Sequence, residues 1–64
     1  MQEVVRDKLK FIKENIGITY QFMATKSGVS YDTVRNLIKG RNISEENLIK
    51  LFDYANDIER RFKD

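Results

Sequence analysis

Apolar residues in the first part of the chain recur at the spacing of an α-helix. Between residues 2 and 16 they follow one another at steps of three and four, which places them on one helical face. The members of this stripe are Val5, Leu9, Ile12 and Ile16. The pattern predicts a helix over residues 2–15, with Val4 and Phe11 widening its apolar face and Gly17 ending it.

Two shorter helical patterns follow, joined by a turn over residues 27–30. Thr19 is a good N-cap for the first of them, and Ser30 can cap the second. Gly28 permits the positive φ that ends one helix and redirects the chain. The inward positions are Met23 and Ala24 in the first helix and Val34, Leu37 and Ile38 in the second. This arrangement predicts a helix-turn-helix.

A further helical pattern begins after Ser44, which can cap it. Glu45 and Glu46 fall in its first turn, where the helix dipole favours anions. Its apolar positions are Leu48, Leu51, Phe52, Ala55, Ile58 and Phe62. The helix either continues to about residue 62 or breaks near Asn56 and Asp57, which can cap a new helix.

Helical spacing dominates the whole sequence, and alternating strand patterns are missing. The 64 residues therefore predict one all-α domain over 1–64. The predicted core consists of Val5, Leu9, Ile12, Ile16, Met23, Ala24, Val29, Val34, Leu37, Leu48, Leu51, Phe52, Ala55 and Ile58.

Several of these positions carry a family resemblance. They are Ile18-Thr19, Met23-Ala24, Gly28-Val29-Ser30, Val34, Leu37, Gly40, Asn42-Ile43-Ser44 and Leu48–Leu51. With them the chain resembles the Cro/C1-type (XRE) helix-turn-helix domains of phage and bacterial regulators. The resemblance implies a lambda-repressor-like bundle of four to five short helices. A separate fifth helix is usual in that family, which favours the break near residue 56.

Four positions depart from the family pattern. Tyr20 replaces a usual glutamine, Ser27 a usual apolar residue, and Ile43 a common proline. Phe22 replaces a usual polar surface residue, and we expect it to pack against Phe11 or the C-terminal stretch. The alternative is an exposed Phe22 that binds a partner.

The resemblance implies that the helix over residues 30–39 lies in the DNA major groove and presents its N-terminal residues to base edges. The predicted base-reading residues are Ser30, Tyr31, Asp32, Arg35 and Asn36. Arg35 can bind guanine bidentately, and Asn36 can bind adenine in the same way. The predicted phosphate-binding residues are Thr19, Tyr20, Lys26, Lys39, Arg41 and Asn42. The start of the first motif helix also offers free N–H groups to a phosphate.

Simpler interpretations of these side chains remain open. Asp32 and Arg35 can form an ordinary surface pair at the (i, i+3) spacing. Tyr31 can be half-buried packing, and Lys26 can be solvated. Lys13, near the end of the first helix, is within the part that approaches the DNA backbone in the family.

Charge supports the DNA-binding interpretation through its distribution. The net charge is only +2, from 12 basic and 10 acidic residues. Residues 15–43, however, contain four basic residues against Asp32 alone, whereas residues 44–64 contain six acidic and four basic residues. The positive excess thus coincides with the helix-turn-helix.

Composition argues against catalysis. Cysteine and histidine are absent, which removes thiolate metal sites and the usual neutral-pH base. The carboxylates are scattered over predicted surface faces, so we expect no enzyme activity, no metal and no cofactor. No apolar run approaches the roughly 20 residues of a membrane span, and no signal peptide is evident. The expected location is the bacterial cytoplasm, on the nucleoid.

The apolar period of the last helix extends beyond the need of a small core. We therefore predict a homodimer formed through Ile58 and Phe62, because helix-turn-helix proteins commonly pair over two half-sites. The alternative is a monomer whose last helix folds Phe62 onto its own first helix. A second possible function is a protein-interaction module on the same fold, such as an antitoxin or antirepressor subunit. Asp32 and the modest net charge favour that alternative.

Overall fold

The computed structural model describes residues 1–62 and contains four α-helices joined by short turns. They are α1 (Gln2–Phe11), α2 (Tyr20–Ser27), α3 (Tyr31–Ile38) and α4 (Glu45–Arg61), with a π-helical turn (Ile12–Ile16) that continues α1. Residues 1–62 contain no strand. The predicted all-α class is therefore confirmed.

The first helical run differs from the predicted regular helix in its last turn. The Gly17 amide donates to the Ile12 carbonyl five residues earlier at 3.0 Å, and Gly17 then ends the run with a φ of 89°. This wider turn moves Ile16 away from the position that regular α-helical spacing would give it. The Ile16 side chain is therefore half-buried at the edge of the core rather than at its centre. The prediction that Val4 and Phe11 widen the buried face is wrong, because both are exposed.

Side-chain caps begin the three later helices where the sequence predicted them. The Thr19 hydroxyl accepts from the Phe22 amide at 3.1 Å. Ser30 and Ser44 do the same for the amides three residues later, at 3.1 and 3.3 Å. Each cap satisfies a backbone donor that has no partner within its helix, and so fixes the residue at which the helix starts.

The predicted break near Asn56 and Asp57 is wrong, because α4 runs through both residues to Arg61. Asn and Asp are weaker helix formers than alanine by less than about 1 kcal/mol each, and buried Ala55 and Ile58 hold the register on either side. Asp57 also lies 3.2 Å from Arg61 in the last turn. No helix within residues 1–62 is long and apolar enough to cross a membrane.

All four helices contribute to one core. Its buried members are Val5, Leu9, Ile12, Met23, Ala24, Val34, Leu37, Leu48, Leu51, Ala55 and Ile58, all of them predicted. The other three predicted core residues, Ile16, Val29 and Phe52, are half-buried and pack against this cluster. Because α3 contributes Val34 and Leu37, the core fixes which side of that helix faces solvent.

Candidate nucleic-acid interface

The turn between α2 and α3 is built around Gly28, which has a φ of 82°. The amides of Gly28 and Val29 both donate to the Ala24 carbonyl, at 3.0 and 3.1 Å, and so close the end of α2. Ser27, which stands where the family has an apolar residue, donates its hydroxyl to the Met23 carbonyl at 2.6 Å. That bond satisfies the half-buried hydroxyl, so the substitution does not disturb the turn.

One face of α3 is buried and the opposite face is open. Val34 and Leu37 are fully buried, whereas Tyr31, Asp32, Arg35 and Lys39 are exposed. At 3.6 residues per turn, those four exposed positions fall within an arc of about 100°. We call these four residues the exposed arc of α3.

Arg35 lies at the centre of this arc and contacts two of its neighbours. Its guanidinium group is 3.8 Å from the Asp32 carboxylate and 5.9 Å from the centre of the Tyr31 ring. Exposed ion pairs of this kind contribute only about 0.2–1 kcal/mol. The Asp32–Arg35 surface pair exists, therefore, but it leaves the guanidinium group free to exchange Asp32 for a stronger acceptor.

The remaining two predicted base-reading residues are less available. The Ser30 hydroxyl caps α3 and lies 2.8 Å from the Thr33 hydroxyl. Asn36 is half-buried at the edge of the exposed arc. Four of the five predicted residues, Ser30 included, are nevertheless exposed, and all five lie on one helix or at its cap.

At the start of α2, the Lys13 ammonium lies 5.6 Å from the centre of the Tyr20 ring. Lys13 thus joins the predicted phosphate-binding residues Thr19 and Tyr20 beside the free amides of this helix start. Burial raises the pKa of the Tyr20 hydroxyl, and the Glu14 carboxylate raises it further. A tyrosine hydroxyl is protonated at neutral pH even without this shift, so Tyr20 is able to donate a hydrogen bond.

On the outer side of α2, the Lys26 ammonium lies 5.4 Å from the centre of the Phe22 ring. Phe22 is 48% exposed and does not belong to the residues that pack on the core. The expectation that Phe22 packs into the body of the protein is therefore wrong. Its position in the third place of α2, next to buried Met23, directs the ring outward.

The end of α3 is closed by a Schellman motif. The Arg41 amide donates to the Asn36 carbonyl at 2.9 Å, and the Gly40 amide donates to the Leu37 carbonyl at 3.0 Å. Gly40 has the positive φ of 101° that this motif requires. The side chains that flank it are exposed, and we call them the basic rim: Lys39, Arg41 and Asn42.

Two residues of α1 reach the end of α3 and the loop that follows. The Arg6 side chain donates through Nε to the Leu37 carbonyl. The Gln2 side-chain amide binds both backbone groups of Ile43, donating to its carbonyl at 3.0 Å and accepting from its amide at 3.1 Å. The second of these bonds needs the N–H that the proline common at this position in the family lacks. Nothing in the sequence indicated these contacts, because they join residues 41 and 31 positions apart.

The two residues predicted to form a dimer lie in different surroundings. Ile58 is 7% exposed and belongs to the core of a single chain, so it is not available to a second copy. Phe62 is 61% exposed and shares a shallow groove with Phe11, which is 52% exposed. Asn15, Ile16 and the Lys8–Glu59 ion pair, in which the nitrogen and oxygen are 2.7 Å apart, complete that groove.

These features define an all-α helix-turn-helix protein whose second motif helix has an exposed side and is followed by the exposed cations Lys39 and Arg41. A helix-turn-helix family model, HTH_3, matches residues 9–60, which is more than half of the chain. The chain therefore belongs to this family, the Cro/C1-type (XRE) helix-turn-helix proteins, and the resemblance inferred from the sequence is confirmed. The family is one of DNA-binding regulators that bind double-stranded DNA. Searches of the curated proteins and of the solved structures gave no match.

Proposed function

We propose that the chain is a sequence-specific repressor of the Cro/C1 type, acting on double-stranded DNA in the bacterial cytoplasm, on the nucleoid. Its α3 helix lies in the major groove. Arg35 and Asn36 bind base edges, with Tyr31, Asp32 and Ser30 beside them. The observation that carries this proposal is the exposed arc of α3, which lies on the side of the helix turned away from buried Val34 and Leu37.

The local chemistry of the arc suits base recognition. Within residues 1–62 the ionic partner of Arg35 is the exposed Asp32 carboxylate at 3.8 Å, and exchanging this weak pair for guanine O6 and N7 costs little. Asp32 is then free to accept from a cytosine N4 group, while the Tyr31 ring meets a thymine methyl group or a backbone oxygen. Asp32 and Tyr31 thus contact base pairs that neighbour the one bound by Arg35.

Two groups of phosphate contacts hold the helix in the groove. The basic rim lies just after α3, and the other group lies at the start of α2, where Thr19, Tyr20 and Lys13 surround free backbone amides. Lys26, which lies over the Phe22 ring, belongs to neither group. Contacts of this kind set the orientation and register of the protein and make its affinity depend on salt.

A single chain offers a short reading surface. The eight residues of α3 make a helix about 12 Å long, which covers only a few base pairs. We propose that two copies pair through Phe62 and the Phe11 groove, so that two α3 helices bind half-sites about 34 Å apart. Pairing in this way would bury two phenylalanines of each copy that are otherwise more than half exposed.

The same groove supports a second candidate function. If a different protein rather than a second copy covers Phe11 and Phe62, the chain is a subunit of an antitoxin or antirepressor complex. The exposed aromatic pair is the observation that favours this candidate. The oligomeric state of the purified chain distinguishes the two.

Replacing the two proposed base-reading residues should weaken binding to the selected site by about 1–3 kcal/mol each. Arg35→Lys keeps the charge but loses the bidentate geometry, so it should retain binding to random duplex and lose the base preference. Fluorescence anisotropy with selected and scrambled duplexes measures both effects for Arg35→Lys, Arg35→Ala and Asn36→Ala. Lys10→Ala, which removes a charge from the exposed side of α1, is the control. Equal losses on both duplexes would assign these residues to phosphate binding, and no loss would remove them from the site.

Replacing the cations of the basic rim should act on all sequences alike. Lys39→Ala and Arg41→Ala should each reduce the dependence of log affinity on log salt by about one unit per lost phosphate contact. Titrations at several salt concentrations, with selected and random duplexes, measure this slope. Lys50→Ala on α4, where Lys50 is 3.6 Å from Glu46, controls for net charge. A slope that stays the same in both rim variants would show that these charges only face solvent.

A glutamate at position 62 should dissociate the proposed dimer, because pairing would bury two like charges at the two-fold contact. Sedimentation at micromolar concentration, with and without the selected duplex, measures the mass of wild type and Phe62→Glu. Ile49→Glu is the matched control, since Ile49 is 50% exposed on another side of α4.

The wild type should sediment as a dimer on DNA, Ile49→Glu should also do so, and Phe62→Glu should remain monomeric with its helical circular dichroism intact. A wild type that is monomeric both free and on DNA would rule out the dimer. Unfolding of Phe62→Glu would instead show that the ring belongs to the fold of a single chain.

A further inference from the structure

Gln2 lies on α1, outside the helix-turn-helix. Within residues 1–62, its side chain nevertheless makes the only two side-chain hydrogen bonds to the backbone of the α3–α4 loop. From this geometry we infer that Gln2 is a positioning residue of the DNA-binding site, which holds Arg41 and Asn42 of the basic rim in place for phosphate. The inference rests on the proposed function, because the rim matters only if it meets DNA.

The loop that carries the rim has no regular structure of its own. At its start, the Schellman bonds of Gly40 and Arg41 fix the backbone to the end of α3. At its end, Ser44 caps α4 through the Asn47 amide at 3.3 Å. Ile43 lies between these two anchors, and both its backbone groups are bound by Gln2 at 3.0 and 3.1 Å. Arg41 and Asn42 therefore lie in a short span held at each end.

In this chain the two Gln2 bonds restrict the backbone at position 43, as the ring of a proline would. A proline at position 43 would restrict the φ angle of that residue but would leave Gln2 only the carbonyl to bind. With Ile43, the restriction comes from a different helix, and the half-buried Ile43 side chain adds a contact with the core. Removing the Gln2 amide would release the loop while leaving the caps of α3 and α4 intact.

Release of the loop should weaken DNA binding, because a loop that moves freely loses more conformational entropy when the rim binds phosphate. Gln2→Met, which keeps the length of the side chain and removes both bonds, should lower affinity about three- to tenfold on selected and random duplexes alike. Val4→Met is the matched control, because it adds the same side chain at a nearby exposed position of α1. Gln2→Asn, which is too short for both bonds, should behave like Gln2→Met.

Two further measurements separate a positioning role from a contribution to overall stability. Hydrogen exchange of the Ile43 amide should be faster in Gln2→Met than in wild type, while amides of α2 keep their protection. In a background with Arg41→Ala and Asn42→Ala, Gln2→Met should have almost no further effect on affinity, because the side chains it positions are gone. A merely structural role would lower affinity equally in both backgrounds.

The outcomes distinguish this inference from the proposed function. If wild type binds no duplex, the proposed function fails and the role of Gln2 fails with it. If wild type binds selectively while Gln2→Met and Gln2→Asn bind as wild type does, the role of Gln2 alone is overturned. An effect of Gln2→Met that persists undiminished without Arg41 and Asn42 would also overturn it.

Discussion

Burial of Val34 and Leu37 is the contact on which the function of this small protein depends. Both side chains are fully buried, and α3 packs against α1 and α2, so α3 cannot rotate without opening the core. Exposing either side chain would cost about 1.5–3 kcal/mol, which is a large fraction of the free energy of unfolding of a 64-residue domain. Because the buried side is fixed, the exposed arc on the opposite side of α3 is fixed as well.

The position of α3 along its own axis is determined at its two ends. Ser30 caps its start, and the amides of Gly40 and Arg41 close its end with one backbone bond each. Arg6 then binds the Leu37 carbonyl from α1. The role of α1 therefore goes beyond packing in the core. It supplies core residues from one side and, through Arg6 and Gln2, contacts both the end of α3 and the loop that follows.

Much of this fold follows from local chemistry that a sequence displays directly. The three caps, the positive φ of Gly17, Gly28 and Gly40, and the buried positions of α3 all depend on residues within five positions of one another. The exposed arc could be predicted for the same reason, because burying one side of a helix exposes the other. Once the exposed positions of α3 are known, the sequence gives the side chains of the arc directly.

What could not be predicted depends on distant contacts or on small energy differences. The Gln2–Ile43 and Arg6–Leu37 bonds join α1 to a loop and a helix end far along the chain, and no periodic pattern encodes them. The continuity of α4 was decided by core packing on either side of Asn56, which outweighed a modest helix-propensity penalty. The π turn likewise shifted Ile16, because Gly17 indicated where the helix ends but not the wider spacing of its last turn.

The central claim is that α3 recognises particular base pairs, and selection from random duplex DNA tests it most directly. The protein should be used to enrich a random library at a low and at a higher salt concentration, and the enriched pools sequenced. The account predicts one consensus that appears at both salt concentrations, with affinity for random duplex falling much more steeply as salt rises. Binding that depends on salt but yields no consensus, or no binding at either salt, would contradict it.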